Sequence, residues 1–276
     1  MAKEEQICRI VGTWPFSFEA VKHASTVIQK SKGDNVCIDA VETGINKIES
    51  NSDYGIYFVG CGGIRNKNGF LELDAAIMHG RNLDYGAVTA IQGINKPISV
   101  ARKVMDKSPH SILTAQGAQQ FAVKHGFDLN HDLMIQKLDP NNSKPRGHDT
   151  LGLICYLNGE FVVGVSTSGM GGKEAGRVGD SAICGAGLYA DNEGGAACCS
   201  GDGDLILKHC PAYRVVSYLR MGWKSEDACK KVITEIMIRS KDFIELVIIA
   251  VDKEVFYPKI ILKKTRIIAL CIYQYI

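Results

Sequence analysis

The alternation of apolar and polar positions divides the chain into a mixed series of strands and helices. The run CRIVGTW at 8–14 predicts a short strand. Phe18, Val21, Ala24 and Ile28 recur at helical spacing and predict a helix over 17–30. The same periodicity predicts five further helices, over 36–50, 98–107, 115–125, 212–222 and 225–238, the last capped by Ser225 and begun by acidic residues.

Three other segments predict paired strands. Residues 59–80 predict two short strands joined by glycine-rich turns. Residues 150–169 predict a hairpin, because Asn158-Gly159 is typical of a two-residue turn, and 243–257 predict a strand, a turn and a strand. Residues 128–147 are polar and rich in Pro, Asn and Gly, which predicts a linker. Antiparallel strands with helices grouped between them indicate an α+β fold.

Composition and charge narrow the functional classes. The 276 residues suit one large domain or two small ones, and 46% hydrophobic and 22% charged residues are ordinary for a soluble globular protein. The 32 basic and 30 acidic side chains nearly balance, and no basic cluster suggests nucleic acid. No apolar run is long enough to span a membrane, and the charged N-terminus predicts a cytoplasmic location. We therefore expect neither a nucleic-acid nor a membrane partner.

The ten cysteines are dispersed and form no C-x-x-C motif. Zinc and thioredoxin-like chemistry are therefore disfavoured, and reduced thiols are the default. We expect no metal and no cofactor.

Thr150 lies at the start of the predicted hairpin, directly after Asp149. A threonine hydroxyl is a weak nucleophile unless a base lies beside it, and a free α-amino group of the same residue has a suitable pKa. That base would exist only if the chain were cut between Asp149 and Thr150. The polar segment upstream is physically suited to such a cut. From these residues alone, the simpler alternative is that His148-Asp149-Thr150 introduces the strand by local hydrogen bonds.

The segment GRVGD at 176–180 offers a guanidinium and a carboxylate three positions apart. Arg177 can bind a carboxylate through a fork of N–H groups, and Asp180 can accept from a protonated amine. Together they match the head group of a free α-amino acid. The alternative is a surface ion pair in a turn, which contributes little.

The segment SGDGD at 200–204 places the Ser200 hydroxyl beside Gly201. A hydroxyl and a backbone N–H can form an oxyanion hole. Alternatively Ser200, Asp202 or Asp204 caps the helix that follows. Thr167 is placed to meet Thr150 across the hairpin, although most such threonines are ordinary strand residues.

The segments GHDTLG, GVSTSG, GRVGDS, GAGLYAD and SGDGD, in this order and spacing, resemble glycosylasparaginase, a family of N-terminal nucleophile hydrolases. In the first half, GTWPF, AVETG, VGCGG and LDAAIMHG resemble it too, so the match runs from about residue 10 to about residue 251. The resemblance implies a four-layer αββα sandwich. It also implies self-cleavage of one domain at Asp149-Thr150 into an α chain, 1–149, and a β chain, 150–276.

The implied reaction cleaves the amide bond between N-acetylglucosamine and asparagine, giving L-aspartate and the sugar amine. The substrate is therefore a small molecule, glycosylated asparagine, and the expected assembly is a homodimer of α/β heterodimers.

The resemblance also assigns roles by motif position. Thr150 is the nucleophile, supported by Thr167, and His148 and Asp149 belong to the self-cleavage step. The substrate-binding positions, of which Ser200 and Gly201 also form the oxyanion hole, are Trp14, Arg177, Val178, Gly179, Asp180, Ser200, Gly201, Asp202 and Gly203.

Some positions depart from the family pattern. Ser200 stands where threonine is commoner, Cys61 fills the middle of a V-G-x-G-G segment, and Phe58 replaces a small hydroxyl residue near the active site. The segment 253–276 lacks the usual glycine-rich turn. The family's secretory signal is missing, which leaves a lysosomal location as the alternative if the true start lies upstream. Two other functions stay open: a plant-type L-asparaginase or isoaspartyl peptidase on the same fold, and an uncleaved paralogue without activity.

Overall fold

The computed structural model describes residues 7–138, 149–240 and 245–254. Within these residues the strands are β1 Cys8–Gly12, β2 Leu73–His79, β3 Asp84–Ile91, β4 Ile112–Thr114, β5 Leu151–Leu157, β6 Glu160–Thr167, β7 Leu188–Asp191, β8 Gly195–Gly201 and β9 Leu246–Asp252. The helices are α1 Phe18–Lys30, α2 Val36–Glu49, α3 Pro97–Lys107, α4 Ala115–Lys124, α5 His131–Met134, α6 Gly203–His209, α7 Pro211–Arg220 and α8 Ser225–Arg239. The predicted α+β class is confirmed.

The strands form two sheets. The larger has six strands in the order β1-β5-β6-β2-β3-β4, and the smaller has three in the order β7-β8-β9. All pairs are antiparallel except β3 with β4. The predicted hairpin is β5–β6. Asn158 (φ 48°) and Gly159 (φ 91°) both adopt the left-handed backbone that its two-residue turn requires.

Both faces of the larger sheet are apolar because both are covered. Alternate residues of β5 show this: Leu153 packs into a core shared with α1, α2 and α3, whereas Ile154 packs into a core shared with the smaller sheet. Gly164 lets α2 lie close to the sheet, since a methyl group there would lie 2.7 Å from both Val41 and Ile45. A third core joins the smaller sheet to α6, α7 and α8 and includes Cys199.

The segment 59–80 contains one strand, β2, where two were predicted. Gly60–Gly62 instead forms a 3₁₀ turn. Gly60 has a φ of 66°, and a methyl group on it would lie 2.2 Å from the carbonyl oxygen of Glu49. Close packing against the end of α2 therefore determines the backbone conformation at Gly60. The apolar and polar pattern of the segment cannot predict this contact, because it is made with another part of the chain.

Other boundaries also differ from the predictions. Ser225 does not cap α8: it is the first helical residue, the N-cap position is Lys224, and the Ser225 N–H donates to the Asp252 carboxylate at 2.8 Å. The predicted linker contains the short helix α5, and its residues 139–147 lie outside the described residues, as do His148 and the end of the predicted C-terminal strand pair. Across the described parts of the chain, the helices fall short of the length and apolarity needed to span a membrane.

Candidate active site

The ends of four strands bring the predicted residues around Thr150 together. Within the larger sheet β5, which Thr150 precedes, lies between β1 and β6, and it contacts β8 of the smaller sheet. β1 leads into Thr13 and Trp14, β6 ends at Thr167, and β8 contains Ser200. Positions far apart in the chain therefore meet because their strands are neighbours, and Thr150 is buried among them.

Thr150 is held through three of its groups. Its hydroxyl lies 3.3 Å from the Ser181 hydroxyl, and its backbone N–H donates to Ser200 Oγ at 3.1 Å. Its carbonyl accepts from the Thr13 hydroxyl at 2.6 Å, and Thr13 Oγ1 in turn accepts from the Gly152 N–H at 2.7 Å. Hydrogen bonds therefore restrain the main chain on both sides of the Thr150 side chain.

Ser200 occupies the centre of this group. It is fully buried, and its Oγ accepts from the Trp14 indole Nε1 at 2.8 Å as well as from the Thr150 N–H. A hydroxyl oxygen has two lone pairs, so these bonds use its acceptor capacity and leave its O–H to donate. Ser200 is thus oriented as a donor, which is what an oxyanion hole needs.

Two residues beside the site adopt a backbone that is rare without glycine. Trp14 has a φ of 62° and Phe58 a φ of 59°. The Trp14 carbonyl accepts from the Ser17 hydroxyl at 2.8 Å. Such conformations persist only where the surroundings enforce them, and they concentrate at functional sites.

The peptide bond between Asp149 and Thr150 faces Thr167. The Thr167 hydroxyl lies 3.3 Å from the Asp149 carbonyl oxygen and 3.3 Å from that of Phe58, and it accepts from the Gly169 N–H at 3.0 Å. It can thus donate to one of the two carbonyls at a time. Phe58 makes this contact through its carbonyl oxygen. The contact therefore does not require the small hydroxyl side chain that is usual in the family at this position.

A second group of residues lies along the segment between β6 and β7. Asp180 is buried, and the Arg177 guanidinium donates to the Asp204 carboxylate at 2.9 Å. Arg177 Nε and Asp180 Oδ2 are buried with no hydrogen-bond partner among the described residues. Burial raises the pKa of Asp180 to about 7, although the Arg177 charge opposes that shift. Arg177 therefore forms its ion pair with the partly exposed Asp204 and not with Asp180.

Glycines leave room beside these charges. A methyl group on Gly203 would lie 2.8 Å from Asp180 Oδ1 and 3.0 Å from Arg177 Nη2, and one on Gly179 would lie 2.9 Å from Arg177 Nη1. The Arg177 and Asp180 side chains therefore lie directly against the main chain of Gly203, and Arg177 also lies against that of Gly179. Val178, between them in sequence, is half-buried.

The SGDGD segment contains a helix cap, which lies at Asp202 and not at Ser200. Asp202 is the N-cap of α6, where its carboxylate accepts from the N–H groups of Asp204 and Leu205, so Ser200 is not the cap. Gly201 has a φ of 140°, and a methyl group there would lie 2.1 Å from the Glu245 carbonyl oxygen. Ser200, which contacts Thr150, and Gly201 are the last residues of β8, and Asp202 then begins α6 as its N-cap.

Two residues that contact Thr150, Ser181 and Thr13, are not among the site residues predicted from the sequence. Ser181 immediately follows the GRVGD segment, and Thr13 immediately precedes Trp14. Their positions inside GRVGDS and GTWPF were the available signal. Nothing in the spacing, however, predicts that their hydroxyls contact Thr150. In the parts of the chain that the structure describes, no three His, Cys, Asp or Glu side chains are placed to hold a metal ion.

Comparison with known proteins identifies the family to which the chain belongs. The asparaginase family model matches residues 17–138 and 129–260. The chain belongs to the asparaginase family, and it is a hydrolase.

Similar proteins within this family are named as two kinds of asparaginase. The chain is similar to the N(4)-(β-N-acetylglucosaminyl)-L-asparaginase of Elizabethkingia miricola, with 37% identity over 83% of this chain and 69% of the relative. It is 34% identical to the mouse (Mus musculus) protein of the same name, over 87% of this chain and 80% of the relative. It is also 36% identical to the bovine (Bos taurus) isoaspartyl peptidase/L-asparaginase, over 76% and 72%. The resemblance to glycosylasparaginase is confirmed.

Proposed function

We propose that this chain is an amidohydrolase that releases L-aspartate from asparagine whose side-chain nitrogen carries N-acetylglucosamine. The observation that carries the proposal is the position of Thr150, buried at the meeting point of β1, β5, β6 and β8 with its N–H on the Ser200 hydroxyl. Two of the relatives are glycosylasparaginases by name, which supports the substrate. The substrate is a small molecule with a free α-amino acid head group.

The first step is self-cleavage before Thr150. Its hydroxyl attacks the Asp149 carbonyl carbon, the acyl group moves from nitrogen to oxygen, and water hydrolyses the resulting ester. The Thr167 hydroxyl, 3.3 Å from the Asp149 carbonyl oxygen, is placed to stabilise the negative charge that develops there. Residues 1–149 then form the α chain and 150–276 the β chain. His148, outside the described residues, keeps its predicted part in this step.

The freed α-amine of Thr150 then serves as the base for its own hydroxyl. The hydroxyl attacks the side-chain carbonyl carbon of the substrate. The Ser200 O–H and the Gly201 N–H stabilise the oxyanion. The sugar amine leaves with a proton, and water hydrolyses the ester on Thr150 to release L-aspartate.

Residues of the Arg177 group bind the head group. The Arg177 guanidinium pairs with the α-carboxylate, and Asp180, once ionised, pairs with the α-ammonium. Gly179 and Gly203 carry no side chain that would displace these two groups. Trp14 lines the other side, where its indole already holds Ser200.

The larger assembly follows from the same proposal. Three separate cores, between helices and sheet, between the two sheets, and between sheet and helices, support a four-layer αββα sandwich. We propose one domain made of both chains and a homodimer of α/β heterodimers. A cytoplasmic location stays a prediction.

The second candidate is hydrolysis of asparagine or of isoaspartyl dipeptides, favoured by the bovine relative's name. Both candidates need the same nucleophile and head-group residues, so the leaving group alone separates them. Release of aspartate is therefore measured on glycosylated asparagine, asparagine and an isoaspartyl dipeptide at equal concentrations. A preference for either of the last two replaces the proposed substrate.

Self-cleavage is tested directly by intact mass and a denaturing gel. We expect the wild-type chain of 30.1 kDa to yield two chains that begin at Met1 and Thr150, and Thr150→Ala to remain whole because it lacks the attacking hydroxyl. Thr26→Ala is the matched control, since it makes the same change at an exposed hydroxyl that donates to the Lys22 carbonyl within α1, and it should still be cleaved. A folded wild-type protein that stays whole would favour the paralogue without activity.

A further inference from the structure

A buried lysine lies beneath the segment that carries Arg177. The Lys173 side chain has no exposed surface, and its Nζ donates to the Glu72 carbonyl oxygen at 3.0 Å. The same Nζ lies 3.8 Å from Glu72 Oε2. Glu72 immediately precedes β2, so this pair ties the segment to the larger sheet.

The Glu72 carboxylate reaches the residue before Arg177. It accepts from the Gly176 N–H, with 3.1 Å to each carboxylate oxygen. Gly176 has a φ of 77°, a backbone that favours glycine. Because the Gly176 N–H is fixed in this way, the direction in which the chain enters Arg177 is set by Glu72.

Lys173 also contacts the start of the segment. A methyl group on Gly169 would lie 2.9 Å from Lys173 Cδ, 3.2 Å from Lys173 Nζ and 3.5 Å from Arg177 Nη1. The Gly169 N–H donates to Thr167 Oγ1. The lysine side chain therefore lies between the part of the site near Thr150 and the part near Arg177.

The charges in this place compensate one another. Burial lowers the pKa of Lys173, and the carboxylates of Asp74 and Glu72 oppose that shift. A buried charge is costly unless it is paired, so neither Lys173 nor Glu72 is expected to keep its position when the other is removed. The pair is inside the protein and touches neither Thr150 nor Ser200 in the described contacts, so its effect on the reaction must be indirect.

We propose that Lys173 and Glu72 are positioning residues for head-group binding: their buried pair holds the Gly176 N–H and so places the Arg177 guanidinium against the substrate's α-carboxylate. The inference rests on the proposed function and deepens it. It assigns part of the affinity for the amino acid head group to two residues that do not contact the ligand.

The test compares Lys173→Met with wild type in two measurements on the cleaved protein: the Kd of L-aspartate by calorimetry, and KM and kcat for glycosylated asparagine. We expect Kd and KM to rise about tenfold, the size of effect typical when one partner of a buried polar pair is removed, with kcat changed less than about threefold. Lys67→Met is the matched control, because Lys67 pairs with Glu174 on the same segment but on the exposed surface. It should leave Kd and KM unchanged.

A double-mutant cycle decides whether the effect passes through Arg177. In an Arg177→Ala background, Lys173→Met should add little to the rise in Kd, since the group it positions is gone. Additive effects, or an unchanged Kd in folded Lys173→Met, overturn the inference. So does a loss of kcat with KM intact, which would place the pair's influence at the Thr150 end.

If Lys173→Met does not fold, the double variant Glu72→Leu/Lys173→Met takes its place. Apolar replacements of a buried ion pair usually fold, and this one removes the carboxylate that the Gly176 N–H needs. A folded double variant should also show a Kd raised about tenfold, and a wild-type Kd in it refutes the inference. Wild-type protein that neither binds L-aspartate nor hydrolyses the substrate contradicts the proposed function itself, whereas an active wild type with unaltered variants contradicts this inference alone.

Discussion

Replacing Ser200 with alanine separates a catalytic hydroxyl from a structural one. The Ser200 Oγ accepts from two donors, the Trp14 indole at 2.8 Å and the Thr150 N–H at 3.1 Å, and is fully buried. Its own O–H is left to donate to a substrate oxyanion. Removing one such donor typically lowers kcat by about 10²–10³, equivalent to about 2.7–4 kcal/mol.

The same change also affects stability, and the structure bounds that effect. Two hydrogen bonds are lost, and each typically contributes about 0.5–1.5 kcal/mol, so the free energy of unfolding should fall by about 1–3 kcal/mol. No helix cap is lost, because Asp202 fills that position. The loss of turnover must therefore be measured on the folded, cleaved fraction.

The assay combines kcat for glycosylated asparagine with a thermal melt of the same preparation. Ser200→Thr keeps a hydroxyl and should keep most of the activity. Cys199→Ala is the matched control on the same strand: its side chain is buried in the core with α7 and α8, so it should lower the melting temperature and leave kcat intact. If Ser200→Ala lowers the melting temperature as Cys199→Ala does and retains near-normal kcat, the oxyanion assignment is wrong.

Three other ionisable side chains, Arg177, Asp180 and Glu49, can each be tested by one substitution. Arg177→Ala should raise KM by tens-fold, since a charge-assisted pair contributes about 1.5–3 kcal/mol, while the protein still cleaves itself; unchanged kinetics in a cleaved variant would remove Arg177 from the site. The pKa of Asp180 is raised to about 7, and only the ionised carboxylate pairs with an ammonium group. The affinity for L-aspartate should therefore fall below pH 7, by up to about tenfold for each pH unit. Calorimetry on Asp180→Asn should show weak binding that does not depend on pH in this range. Burial raises the pKa of Glu49 from 4.5 to about 8, so between these pH values the folded state holds a proton that the unfolded chain has lost. The free energy of unfolding should therefore fall as pH rises through this range. Urea unfolding of Glu49→Gln should show a weaker fall with pH than wild type, and an equal fall would argue against a protonated Glu49.

Elements with a strong local signal could be predicted from the sequence. The β5–β6 hairpin follows from Asn158-Gly159 between two apolar runs, and α1 and α2 follow from periodic apolar positions. The segments GHDTLG and GRVGDS carried the family, since their order and spacing rarely arise by chance. For the hairpin and the helices, short-range residues contain the information, because hairpin turns and helix faces are set by neighbours in the chain.

What only the tertiary structure decided depends on contacts across long separations. The apolar and polar pattern does not predict β3 and β4, which are strands because β3 pairs with β2 and β4 pairs with β3. Strand β8 consists of small residues, whose intrinsic preference for strand structure is weak. The contact of Ser181 with Thr150, the burial that raises the pKa of Asp180, and the Lys173–Glu72 pair likewise arise only in the folded molecule. Burial and charge pairing are properties of the packed molecule, so spacing along the chain cannot specify them.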